Sequence, residues 1–272
     1  MKKQSILYII LIGLISSLLY VFFTKEEHII KKETQQVVIQ NVIVNSQKEF
    51  LYPKQTIDQI VEHEIYAFSY NETHEQANWV AYKLFPHSVN NLVKRKDNFR
   101  KDLKVVSGSA TVNDYKKSGY DRGHLAPAKA MSFSKETMSE SFFMSNMSPQ
   151  KPSFNRGVWK RLEEQVRKWI FISDSLYVVT GPILKDPLGF IGENKVTIPS
   201  AYYKSIIRFK KGKMIGLGFI LKNKKSSKKL SEFSVSIDSI EKVTGIDFFE
   251  KLNLNKQNDV ESNNDYQFFI KK

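Results

Sequence analysis

The spacing of hydrophobic and polar positions changes several times along the 272-residue chain. Ile6–Phe23 is an uncharged run of 18 residues, with Lys2 and Lys3 before it and Lys25, Glu26 and Glu27 after it. At about 1.5 Å per residue the run makes roughly 27 Å of helix, close to the depth of a bilayer core. It predicts one N-terminal transmembrane helix within residues 1–24, either an uncleaved anchor or a cleaved signal sequence. Leu18, Leu19, Tyr20, Val21, Phe22 and Phe23 are all large, so no small-x-small cleavage site follows and the anchor is favoured. Lysines ahead of the run place the N-terminus in the cytoplasm and the body of the chain outside. Residues 25–60 are polar apart from Val37–Val44, the pattern of a stalk or linker.

From residue 61 to 252 the pattern is that of a folded domain. Tyr66–Tyr70 alternates at period two, as a half-buried strand does. Trp79–Leu84, Leu176–Thr180, Lys195–Ile198, Tyr202–Phe209 and Met214–Leu221 are further predicted strands. Lys135–Phe143 predicts a short helix. Gly157–Ile170 predicts a longer one, with Val158, Leu162, Val166 and Trp169 along one stripe. Ser234–Thr244 also has helical spacing. Residues 253–272, rich in Asn, Asp and Gln, are expected to form a frayed polar tail. Strands and helices do not alternate strictly, so the expected class is α+β with a central, largely antiparallel sheet and flanking helices.

Composition adds two constraints. Lys plus Arg is 42 against 28 acidic residues, a net charge of +14. Such an excess fits simple solubility, and it equally fits a polyanionic partner such as nucleic acid. Cysteine is absent, which excludes disulfides, thiolate metal sites and a cysteine nucleophile.

The densest chemistry is Asp121-Arg122-Gly123-His124. A second polar cluster follows at Asn146–Gln150 and Ser153–Glu163. Together they point to metal-assisted phosphodiester cleavage. That reaction needs an activated water, neutralisation of growing negative charge and help for the leaving oxygen. A neutral imidazole at His124 can take the proton. No HxH, HxxxH or HExxH pattern occurs, so a histidine-built zinc site is not expected. Mg²⁺ suits the remaining groups, because it keeps several waters and takes one or two protein oxygens. On a regular helix Asn155 and Glu163 stand about 80° apart and roughly 12 Å along the axis, too far to ligate one ion together. Taken singly, each residue has an ordinary reading. Asn155 is a plausible helix N-cap, Asp121 and Arg122 a surface ion pair, and Asn146 and Gln150 partners for loop backbone.

These motifs resemble the DNA/RNA non-specific endonuclease family, which includes Serratia-type secreted nucleases and the mitochondrial endonuclease G enzymes. The similarity rests on Asp121–His124, Asn146-x-x-Pro149-Gln150, Phe154-Asn155 and Trp159-x-x-Leu162-Glu163. It extends from about Trp79 to Phe249 through Arg95–Arg100, Val178–Pro182, Ile198–Lys204 and Thr244–Phe249. The resemblance implies a ββα-metal fold, with the histidine on a strand and the asparagine on the crossing helix. It implies His124 as general base and Asn155 as the direct ligand of Mg²⁺, with Mn²⁺ or another divalent cation as a substitute. Glu163 then binds a metal-coordinated water, Arg122 acts at the phosphate, and Asn146 supports the site. Some members carry an arginine on an earlier strand. Here Lys83 is the corresponding cation, without the bidentate fork.

The basic stretches Lys94–Lys101 and Lys204–Lys229 are then expected to contact phosphates, with Lys83, Arg95, Lys96 and Arg100 as nucleic-acid-binding residues. Between Lys204 and Lys229 stand ten basic residues and no acidic one. For Lys222–Lys229 a solvated hairpin tip is the competing reading. No base-reading motif is present, so DNA and RNA are the expected partners, with little sequence preference. The membrane is a partner through the N-terminal helix, a homodimer is allowed, and no protein partner is expected. The overall expectation is an active nuclease displayed on the outer side of the cytoplasmic membrane, or secreted if the first segment is cleaved. A catalytically silent nucleic-acid-binding membrane protein is the alternative.

Overall fold

The computed structural model describes residues 22–27, 52–54, 58–89 and 93–271. The chain divides into two units, residues 1–46 and 47–272. In the first, residues 22–27 are helical and exposed. The rest of the predicted anchor and the apolar patch at Val37–Val44 lie outside the described residues. Among the described residues no helix is long and apolar enough to cross a membrane.

The second unit contains strands β1 (Gln59–Glu62), β2 (Tyr66–Asn71), β3 (Gln76–Leu84), β4 (Asp121–His124), β5 (Met147–Gln150), β6 (Ser175–Ile183), β7 (Phe190–Ile191), β8 (Val196–Thr197), β9 (Ala201–Lys210), β10 (Lys213–Lys222) and β11 (Ser234–Val235). Its helices are α1 (Val112–Tyr115), α2 (Lys135–Glu140), α3 (Lys160–Ile170), α4 (Ile237–Thr244), α5 (Leu254–Glu261) and α6 (Tyr266–Ile270). Seven strands form one antiparallel sheet in the order β1-β2-β3-β6-β9-β10-β11, as the alternating pattern predicts. β9 and β10 are joined by Lys211 and Gly212, both with positive φ (48° and 75°). A two-residue turn of that hand matches the twist of the strands, and glycine takes it without strain.

Successive side chains of a strand point to opposite faces, and both faces of this sheet are covered. On one face Val80, Tyr82, Tyr202, Ile206 and Phe219 pack with Trp159, Leu162, Val166 and Trp169 of the α3 region. On the other, Trp79, Ala81, Tyr177, Tyr203 and Ile207 pack with Ile237 and Ile240 of α4 and Val260 of α5. This double burial explains the nearly continuous apolar runs of β6 and β9.

Three expectations change. The described part of the expected frayed tail at 253–272, up to residue 271, is not frayed, because α5 and α6 bury Val260 and Phe269 on opposite faces of the sheet. Their apolar residues are few but correctly spaced, and composition alone hides that. The predicted helix at Ser234–Thr244 starts only at Ile237. Ser236 caps it by accepting a hydrogen bond from the Ser239 amide, while Ser234 and Val235 pair with β10. The predicted helix from Gly157 is regular only over α3. Phe154–Trp159 forms a wide π-type turn, with Gly157 at φ −106° and ψ −111°.

Candidate active site

β4 and β5 form a two-stranded hairpin, with Asp121 opposite Gln150 and His124 opposite Met147. The wide turn and α3 follow β5 directly, so the site is a ββα unit on the sheet face that carries Trp159. Gly123 leaves room for the Gln150 side chain, which a Cβ there would overlap and have to displace. Asn146 is buried and locks the chain just after His124. Its Oδ1 accepts from the Ala126 amide (2.8 Å), and its Nδ2 donates to the carbonyls of Ala126 (2.9 Å) and Ser141 (2.8 Å). All its amide hydrogen bonds are thus to backbone. The side-chain amide of Gln150 is also buried, and neither of its polar atoms has a hydrogen-bond partner.

His124 and Arg122 lie on the same side of β4, against Phe99. The imidazole stands 5.9 Å from the Phe99 ring and edge-on to Phe142 at 4.9 Å, while the Arg122 guanidinium lies 4.1 Å over Phe99. Burial pushes the imidazole pKa down to about 3, helped by the positive charges of Arg95 and Arg122 against the opposing charge of Asp97. The ring is therefore neutral at physiological pH. Its Nε2 is buried and makes no hydrogen bond.

Asp121 faces the wide turn. Its carboxylate accepts from Asn155 Nδ2 (2.9 Å) and from Arg156 Nε (2.9 Å) and Nη2 (2.7 Å). A carboxylate only accepts, so the Asn155 amide must present its nitrogen to Asp121 and its oxygen elsewhere. Asn155 lies inside the wide turn, whose N-cap position is Ser153, so it is not a helix N-cap. The wide turn and the Gly157 kink also remove the regular-helix geometry that separates Asn155 from Glu163 by about 80°. Asn155 is half-buried, as is Glu163. Protein closes around the Glu163 carboxyl and raises its pKa, against the attraction of Lys204, Arg167 and Arg95.

Lys204, expected among phosphate-contacting residues, is fully buried beneath the site. Its Nζ lies 4.7 Å over the Trp159 ring and 3.5 Å from Tyr82 Oη. Burial lowers its pKa, and Glu163 opposes that shift. A lysine inside the apolar strand Ala201–Ile207 is the sequence signal for such burial. Arg167, one helical turn after Glu163, was equally legible as an i, i+4 partner. Asp121 stood within the motif and acts as the support of Asn155 rather than as a plain surface pair.

The other predicted cations divide. Arg95 is exposed, stacks at 5.0 Å on Phe142, and influences both His124 and Glu163. Lys96 is exposed beside it, and both line a groove of ≈ 740 Å³ with Lys94, Asn98, Lys135 and Ser139. Arg100 is committed within the fold. It donates to the Ser139 carbonyl (2.8 Å) and lies 3.9 Å over Phe143. Lys83 is not brought to the site. It sits on the opposite face of the sheet, with its Nζ 5.8 Å from the Phe209 ring.

The donor set fits a hard divalent cation. It offers one neutral amide oxygen, freed by the bond of its own nitrogen to Asp121, and one carboxylate that keeps some surface. Such a sparse oxygen set suits Mg²⁺, which retains most of its waters.

Comparison with known proteins gives a consistent result. Residues 46–255 match the pattern of the family described as DNA/RNA non-specific endonuclease. A nuclease of Nostoc sp. is 34% identical over 209 residues, covering 72% of this chain and 75% of that protein. Mitochondrial endonuclease G of Homo sapiens is 32% identical over 205 residues, covering 70% and 69%. The crystal structure of an EndoG/EndoGI complex superposes with a TM-score of 0.71 at 30% identity, covering 80% of this chain and 94% of that one. In sequence pattern and in three-dimensional fold alike, this chain belongs to the DNA/RNA non-specific endonuclease family.

Proposed function

We propose that the protein is a divalent-metal-dependent endonuclease that hydrolyses phosphodiester bonds of DNA and RNA with little sequence preference. The observation that carries this reading is a half-buried, neutral His124 on the same strand as Asp121, which holds the Asn155 amide. His124 takes a proton from water. The oxygen so activated bonds to phosphorus as a phosphorus–oxygen ester bond breaks, and the leaving oxygen is protonated from solvent. Arg122 and Arg95 bind the phosphate and offset its charge. Asn155 would hold the cation through its amide oxygen and Glu163 would support it through a water, while Asn146 positions His124 through backbone hydrogen bonds. When bound, Mg²⁺ supplies charge neutralisation at the phosphate and the leaving oxygen.

The test is digestion of plasmid DNA and of RNA with Mg²⁺, with and without EDTA. His124→Ala is expected to lose roughly 10²–10⁴-fold in kcat, the usual contribution of a positioned base. Activity that survives His124→Ala, or that EDTA leaves intact, rejects the mechanism. Tight DNA binding with no cleavage under any divalent ion supports the silent-binder alternative instead.

The uncharged run at Ile6–Phe23 supports an envelope location, with the nuclease outside the cytoplasm. N-terminal sequencing of membrane and soluble fractions distinguishes an anchor from a cleaved signal. Removal of the nuclease from intact cells by external protease is the expected result for an anchor.

A further inference from the structure

We propose that the Lys222–Lys229 loop is a preordered rail for the nucleic-acid backbone beyond the scissile phosphate, so that the enzyme favours long polymers. The inference rests on the proposed nuclease reading. Five lysines fall within these eight residues, and all five are exposed. Among the described residues only Lys228 has a carboxylate within 4.0 Å, that of Glu232 at 3.5 Å. A loop so charged repels itself, and a solvated hairpin tip would have no reason to be held in one shape.

This loop is held at both ends. At its start Asn223 is buried. Its Nδ2 donates to the carbonyls of Pro149 (3.1 Å) and Pro199 (3.0 Å), and its Oδ1 accepts from the Lys151 amide (2.9 Å). Further along, Arg161 Nη2 donates to the carbonyls of Ser226 (3.2 Å) and Lys228 (3.0 Å). An arginine of α3 thus spends its donors on ordering a basic loop rather than on a carboxylate.

The anchors also place the loop. Pro149 and Lys151 flank Gln150, which pairs with Asp121, the residue that holds Asn155. Arg161 stands two residues before Glu163 on the same helix. The other basic wall, around Arg95, attaches beside His124 through Phe142. The two basic segments therefore join the β4–β5 hairpin at opposite ends. Four strand residues separate those ends by about 10 Å at roughly 3.4 Å per residue, while duplex DNA carries one charge per about 1.7 Å of axis. A polymer seated at His124 thus extends over the loop, whereas a short fragment ends before reaching it. Lysine ammonium groups on fixed backbone suit phosphate contact without base reading.

The test uses the full chain in detergent, with Lys224, Lys225 and Lys229 all replaced by alanine. With EDTA present, duplex DNA binding is measured against NaCl concentration. The slope of log affinity on log salt is expected to become shallower by about 2–3, since each phosphate contact contributes about 0.9. With Mg²⁺, KM for kilobase DNA is expected to rise several-fold while kcat holds, and a dinucleotide substrate is expected to show no such rise. Arg161→Ala, which frees the loop but keeps its lysines, is expected to raise KM for long DNA to a smaller extent. An unchanged salt slope and unchanged KM overturn the proposal. So does a triple variant that loses only its binding to anionic phospholipid vesicles. If the wild type cleaves neither DNA nor RNA, the nuclease reading fails, and the salt slope still decides the rail.

Discussion

Two histidines, His63 and His124, respond to their surroundings in opposite directions. His124 has aromatic walls and positive neighbours, so its pKa falls to about 3. Such a base is neutral across the physiological range, and the acid limb of kcat/KM is expected well below the ordinary histidine value of 6.5. A pH–rate profile checks this; a limb at that ordinary value contradicts it. In stability terms the folded state disfavours the proton, so His124 opposes folding as pH falls from 6.5 toward 3. His63 is the converse. Burial disfavours its charge, but Asp102 (Nε2 to Oδ2, 2.8 Å) and Glu140 (Nδ1 to Oε1, 3.6 Å) outweigh that and raise its pKa. Its stabilisation is complete below 6.5 and is lost as pH rises through the elevated value. Asp102 also accepts from Ser145 Oγ (2.6 Å). His63→Leu strands that buried carboxylate and is expected to destabilise the fold by about 3–5 kcal/mol, measured by urea unfolding near neutral pH. At the site itself, Asp121→Ala leaves Asn155 unoriented. Calorimetric Mg²⁺ affinity is expected to fall about 10–100-fold, as for other supports of metal ligands.

At the level of elements, the strands were legible because aromatic and β-branched residues recur without break between turn signals. The helix ends were not. Ser236 caps α4 where periodicity alone runs through it, and the wide turn before α3 follows from the Gly157 kink. The C-terminal helices were hidden by their polar composition. Docking of α5 depends on Gly216, where a Cβ would overlap the Val260 carbonyl. Gly216→Ala is expected to lower Tm and to expose α5 to protease, because the obstruction is backbone that cannot turn aside. On the same face Glu241 and Glu261 are pushed up to about 7 and about 8, chiefly by burial and then by nearby carboxylates. The raised values mean that the folded state holds these protons. Their favourable contribution is therefore lost as pH rises through that range. Glu261→Gln is expected to raise Tm at about pH 9 and to change it little at about pH 5.

For the molecule as a whole, a net charge of +14 on a sequence without a base-reading motif fits the proposed nucleic-acid binding being dominated by phosphate. Affinities for DNA and RNA are expected to fall in parallel as NaCl rises, with similar log–log slopes. A slope for one polymer near zero contradicts that view. By itself the sequence determined the antiparallel α+β class, the basic character, the absence of thiol chemistry and the motif with His124, Asn155 and Glu163. Those properties follow from local periodicity, composition and fixed spacing. Only the tertiary structure decided which cations reach the site. Lys83 and Lys204 both lie on strands of one sheet, yet alternation sends Lys83 to the far face and Lys204 beneath Trp159. Arg100 is spent on a carbonyl and a ring, and Asp121 becomes the support of Asn155 across 34 positions of sequence. A charge read along the chain has no direction. Strand register and burial supply the direction, and they fix its partner and its protonation.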